Sequence, residues 1–150
     1  MTNEEILIRL GVATIAGVAL GLDRELRGIA AGMRTHGLVA LSSALITVSA
    51  FMVYDDLLAH GTGANVDPLR VVQGLAQAVG FVAAGAIFFA RGKVHNLTSA
   101  ANIWLASSVG IAAGAGQMIL VAAGVGIGAI LLTAVRVLEG LIPGGTKAGE

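Results

Sequence analysis

The chain contains no cysteine, which excludes disulfides and thiolate metal sites while leaving its redox compartment open. Charge is scarce as well. Only 12% of its 150 residues are charged and the formal net charge is +0, against about 25% charged residues in an ordinary soluble domain. With no excess of one sign, nothing in the charge argues for nucleic acid. Also missing are a nucleophile elbow, a P-loop and any other catalytic motif, so an enzyme is not expected and no cofactor is implied. A magnesium site would need one or two carboxylates with retained waters. Asp55, Asp56 and Asp67 follow no recognised loop spacing, and the metal question stays open. His36, His60 and His95 are too scattered for a zinc pattern.

What the chain has instead is hydrophobic length. Hydrophobic residues make up 56% of it and the mean hydropathy is +0.88. A soluble bundle would need polar outer helix faces that most segments cannot supply. Five apolar segments can be drawn, at about 6–22, 38–54, 71–90, 99–115 and 117–138. Each reaches or approaches the ~17–25 residues of a spanning helix, and none shows the period-2 alternation of a barrel strand. The expectation is an all-α integral membrane bundle of about five transmembrane helices, one domain over 1–150. Glu4 and Glu5 replace the basic start of a cleavable signal, so the first segment is expected to remain in the membrane. Gly114-Ala115-Gly116 is the one break between the last two segments and predicts a tight helical hairpin.

Of the nine basic residues, seven (Arg24, Arg27, Arg34, Arg91, Lys93, Arg136 and Lys147) fall on one side of such a bundle, and Arg9 and Arg70 on the other. The positive-inside rule then places the N-terminus outside and the C-terminus in the cytoplasm. The outer connection from Asp55 to Asp67, with Gly61-Thr62-Gly63, predicts a solvated loop. Asp67-Pro68 predicts a helix start, with Asp67 as N-cap. Glycines four apart, Gly17/Gly21, Gly110/Gly114 and Gly124/Gly128, let helix backbones approach closely in lipid, either within one chain or in a homodimer.

Three sets of residues carry candidate chemistry. The first is the polar island from Asp23 to His36, which must face protein, water or headgroups. Asp23 and Glu25 sit at a helix C-terminus, where the dipole disfavours carboxylates. Arg27 is placed to pair with Asp23 at i,i+4, and Arg34 to fold back on Glu25, giving one charge cluster of Arg24, Glu25 and Arg34. A structural clamp and a gate or relay would use the same residues. In the second set, Arg34-Thr35-His36 and Thr98-Ser99 precede two helices at the cytoplasmic face. There they either cap those helices or, with the nearby arginines, hold an anionic lipid or a phosphate-bearing metabolite. In the third, Arg70, Gln73 and Gln77 form a stripe on helix three expected to face the bundle interior. Together with Asn102 and Trp104 on helix four they serve as interhelical glue or line a path.

Several of these stretches resemble the MgtC/SapB family of bacterial inner-membrane proteins. They are Asp23-Arg24-Glu25, Ala31-Gly32-Met33-Arg34-Thr35-His36-Gly37-Leu38-Val39, Asp67-Pro68-Leu69-Arg70-Val71-Val72-Gln73-Gly74 and Leu97-Thr98-Ser99-Ala100-Ala101-Asn102-Ile103-Trp104. The chain departs at Asn96-Leu97-Thr98-Ser99, where Gly-Leu-Thr-Thr is more usual, and at Ala78 and Ala83 in place of glycines. Many members also carry a C-terminal cytoplasmic domain beyond the transmembrane part. The resemblance implies a multi-pass protein of the bacterial inner (plasma) membrane with a role in magnesium-linked ion homeostasis, stress adaptation or virulence. It would act by transport or by regulating a partner membrane protein.

Overall fold

The computed structural model describes residues 1–61, 66–90 and 93–141. Among them are five helices: α1 Asn3–Leu26, α2 Met33–Ala59, α3 Leu69–Gly85, α4 Leu97–Gly114 and α5 Met118–Leu141. Three helices, Asn3–Leu26, Met33–Ala59 and Met118–Val135, are long and apolar enough to cross a membrane, as the all-α membrane bundle requires. Thr62, Gly63, Arg91 and Lys147 lie outside the described residues, as do the side chains of Lys93 and Arg136.

α4 is the axle. It packs against all four other helices, and most of its residues are buried, among them Ser99, Asn102 and Ser107. Polar side chains that would be costly in lipid are tolerable in a helix wrapped by its neighbours. α1, α2 and α4 make the densest contacts, around small side chains such as Ala13, Ala16, Ala44, Ala106 and Ala113. In lipid, where apolar surface gains little by leaving the solvent, such close packing is itself the source of association.

The glycine pairs account for that closeness. A Cβ on Gly21 would stand 2.7 Å from the Gly32 carbonyl, one on Gly114 2.7 Å from the Ala44 carbonyl, and one on Gly110 would overlap the Ala40 backbone. On α5, Gly128 faces Leu105 at 2.6 Å and Gly124 faces Val109 at 3.1 Å. All three spacing-of-four pairs are thus used inside the chain.

The tight hairpin between α4 and α5 is present. Gly116 takes φ +78, its N–H and that of Gln117 return to Ala113 and Ala112, and Arg9 of α1 donates to the Gly114 carbonyl at 2.8 Å. A cation at a helix C-terminus satisfies both an orphan carbonyl and the dipole.

α3 ends at Gly85, short of the expected Ala90. Residues Phe88–Ala90 and Lys93–His95 instead form a small antiparallel hairpin, on which Phe88 and His95 stack at 5.1 Å. The Asn96 amide closes it by donating to the Ala86 carbonyl at 3.1 Å. At the other end of α3, Asp67 accepts from the Leu69 N–H at 2.9 Å, the bond that an N-cap makes to its second helical residue, although the helix is bounded one residue later, with Pro68 at the cap position.

Candidate functional site

The polar island does not fold into one cluster. α1 continues to Leu26, so Arg24 lies one turn beyond Leu20 on the buried face and points inward. Its guanidinium contacts the Ser99 hydroxyl and donates to the Ala30 carbonyl at 3.3 Å. Glu25 turns the other way and accepts from the Met33 N–H at 3.1 Å. Arg34 is exposed and makes no ion pair among the described residues. The expected Arg24, Glu25 and Arg34 cluster is therefore replaced by two separate arrangements. The reason is that α2 begins at Met33, earlier than expected. Its free amides and dipole reach Glu25 before Arg34 can. Arg27 pairs with Asp23 at 3.1 Å, as the i,i+4 spacing predicts.

The early start also changes the caps. Gly32 and Asn96 occupy the N-cap positions of α2 and α4, neither with a side-chain capping bond, so Thr35, His36, Thr98 and Ser99 stand within the first turns. Thr98 is exposed. His36 is fully buried; its Nδ1 donates to the Gly32 carbonyl at 2.9 Å, leaving Nε2 without a hydrogen bond among the described residues.

From His36 a polar seam runs along the contact between α2 and α4, with Arg24 of α1 at its end. Buried on it are Ser43 and Thr47 of α2 and Ser99, Asn102 and Ser107 of α4. Ser43 and Ser107 share a hydrogen bond of 2.9 Å, and Thr47 donates to the Ser43 carbonyl at 2.8 Å. Asn102 donates to the Leu20 carbonyl at 3.1 Å, while its Oδ1 has no hydrogen-bond partner among the described residues. Asn102 thus ties α4 to α1, and Trp104, on another side of α4, lies against Gly80 of α3. Sequence reasoning missed Ser43, Thr47 and Ser107, which sit within apolar runs. Their signal on α2 was spacing, with Ser43 and Thr47 seven and eleven positions after His36 and so on the same helix face.

The stripe on α3 falls elsewhere than expected. Arg70, Gln73 and Gln77 are exposed, while Leu75 and Ala83 are the buried residues of that helix. The face with Leu75, Gly80 and Ala83 makes the contact with α4, Trp104 lying against Gly80, and the amides are turned outward. Asp55 and Asp56 are exposed as well. Among the described residues no three His, Cys, Asp or Glu side chains gather as a metal site would require.

The MgtC family profile matches residues 10–141. The chain belongs to the MgtC family. It is 37% identical over 115 residues to "Putative magnesium transporter YhiD" of Escherichia coli K12, covering 77% of this chain and 53% of that protein. To Protein SapB of Bacillus subtilis it is 35% identical over 121 residues, 76% of this chain and 49% of SapB. To Protein MgtC of Brucella abortus it is 32% identical over 134 residues, 87% and 52% of the two chains. The chain spans about half the length of these relatives. No solved structure matches it. The family match reaches from within α1 to the end of α5 and includes the whole polar seam.

Proposed function

We propose that this chain serves magnesium-linked ion homeostasis in the bacterial inner membrane by regulating another membrane protein, not by carrying the ion through its own bundle and not as an enzyme. The link to magnesium comes from the name of the similar YhiD. The observation that favours regulation over carriage is Arg24, the charged side chain buried in the polar seam of the described residues. A guanidinium at the end of the seam opposes a divalent cation, which would need carboxylates and its own waters. Where a pore would need width, a Cβ on Gly110 would overlap the Ala40 backbone.

The test is flux. Purified protein in liposomes with a magnesium-sensitive dye inside is expected to leave the signal at the protein-free rate, and to co-purify from membranes with another membrane protein. Saturable magnesium entry by the protein alone would overturn the regulatory reading. The split of basic residues orients the bundle with the N-terminus outside, so terminal tags should report opposite sides of the membrane.

A second reading is favoured by Arg34, which is exposed at the basic end without an ion pair among the described residues. It would hold an anionic lipid headgroup there, an attraction of about 1 kcal/mol per basic residue. Arg34→Ala should then reduce co-purifying anionic lipid.

A further inference from the structure

α3 carries its polarity on the wrong side for a monomer in lipid. At about 100° per residue, Arg70, Gln73, Gln77, Phe81 and Ala84 fall within an arc of about 80°. The buried Leu75 and Ala83 lie on the opposite side of the helix, against α4. Neither glutamine has a hydrogen bond among the described residues, and Phe81 on the same arc is 84% exposed. α3 is a shorter apolar helix than the three candidate spans; inserted from Leu69 at the bilayer surface, it would carry Gln77 about 12 Å into a hydrocarbon core about 30 Å thick. There is no water at that depth to satisfy an amide.

We propose that this face of α3 docks on the same face of a second copy of the chain. The second copy is favoured over an unrelated partner for a geometric reason. Two copies inserted with the same orientation bring identical residues to identical depths, and each glutamine amide carries both a donor and an acceptor. Gln73 can therefore meet Gln73 and Gln77 meet Gln77 of the other copy across a two-fold axis along the membrane normal. Asp67 and Arg70, of opposite charge and one turn apart, can pair crosswise at the membrane surface. Beside Gln73, Gly74 has nothing within 4 Å of a Cβ built on it, which leaves room for a second backbone. The glycine pairs of α1, α4 and α5 are already occupied within the chain, so this contact uses a surface the bundle leaves uncovered. It stands apart from the proposed regulatory role.

The absence of cysteine from the sequence makes the test clean. Single cysteines at Gln73, Gln77 and Val82 are oxidised in native membranes with copper phenanthroline. Val82 is lipid-exposed but off the stripe. Expected is a cross-linked dimer at Gln73→Cys and Gln77→Cys and little at Val82→Cys. In detergent, the double variant Gln73→Leu with Gln77→Leu should keep its helicity while the dimer dissociation constant rises about tenfold, as loss of one or two interhelical amide bonds predicts. Four results would overturn the proposal. They are equal cross-linking at all three positions, no cross-linking at any, cross-links at Gln77→Cys to a different protein, or labelling of both glutamine positions by an aqueous thiol reagent.

Discussion

Two regions of this molecule hold polar side chains within apolar helices, and they treat them in opposite ways. Along α2 and α4 most of the polar groups are small, with His36 and Asn102 the larger ones. Ser43, Thr47, Ser99 and Ser107 fit beneath glycine and alanine contacts and are buried. On α3 the polar groups are long, and Gln73 and Gln77 project away from the bundle. The difference shows that in a membrane, polarity alone does not decide which way a residue faces within one chain. What a neighbouring helix offers also counts, since the larger Arg24, His36 and Asn102 are buried as well where α1, α2 and α4 pack closely. The seam is closed by its own chain, and the stripe is left exposed by it.

The largest expected effect comes from placing the same substitution in both regions. Gly110→Val puts a branched side chain into the Ala40 backbone, where neither side can yield, so a loss of about 3 kcal/mol or more and poor folded yield are expected. Gly74→Val, with nothing within 4 Å, should leave the unfolding midpoint of the monomer in denaturing detergent unchanged. Equal damage at both positions would erase the distinction between a sealed seam and an open face.

Next in size is Arg24, whose loss leaves the Ser99 hydroxyl and the Ala30 carbonyl with a missing partner. Arg24→Ala should cost about 1–3 kcal/mol per buried group left unsatisfied. Arg70→Ala, at the exposed end of α3, should cost about 0.5 kcal/mol or less. Thermal unfolding in one detergent measures both. If Arg24→Ala were as mild as Arg70→Ala, the buried guanidinium would not be holding α1 to α4.

Much of this arrangement could be read from the sequence, but only at the scale where hydrophobic length decides. The five helices, the Gly114 to Gly116 turn and the Asp23 with Arg27 pair follow from runs, breaks and i,i+4 spacing. The partners of Glu25 and Arg34 did not, because they depend on whether α2 starts at Met33 or at Leu38. That boundary is set by a carboxylate arriving from α1, a tertiary fact. The seam went unread because a serine in an apolar run is a weak mark, and its meaning lies in which serine of another helix stands opposite. The α3 stripe was expected inside because costly groups in lipid must be covered. That rule does not say that the cover must come from the same chain.

A smaller effect probes the junction between the end of α1 and the start of α2. Glu25→Gln weakens the capping of α2, for about 1 kcal/mol. Arg34→Ala should be close to neutral for folding, and the double variant should equal the sum of the two within about 0.5 kcal/mol. Unfolding free energies for the four proteins decide it. A coupling well above that would restore a direct Glu25 to Arg34 pair.

The smallest expected effect lies in the middle of the seam. Ser43 and Ser107 bond to each other at 2.9 Å, and both are buried, so each single alanine variant strands a hydroxyl that has lost its partner. Ser43→Ala removes one group and leaves the Ser107 oxygen without that bond; the double variant removes both and leaves neither. The double change should therefore cost less than the sum of the singles. The coupling should be about 0.6 kcal/mol, the average for hydrogen bonds between membrane helices, since the unfolded helices also find partners in the bilayer. Gln73→Leu with Gln77→Leu, measured on the monomer in the same detergent, should show neither a folding loss nor a coupling, because the two amides have no hydrogen-bond partner among the described residues to strand. A measurable coupling on α3 and none on the seam would invert the comparison, placing the bundle's internal polar contact on the helix whose glutamines face outward.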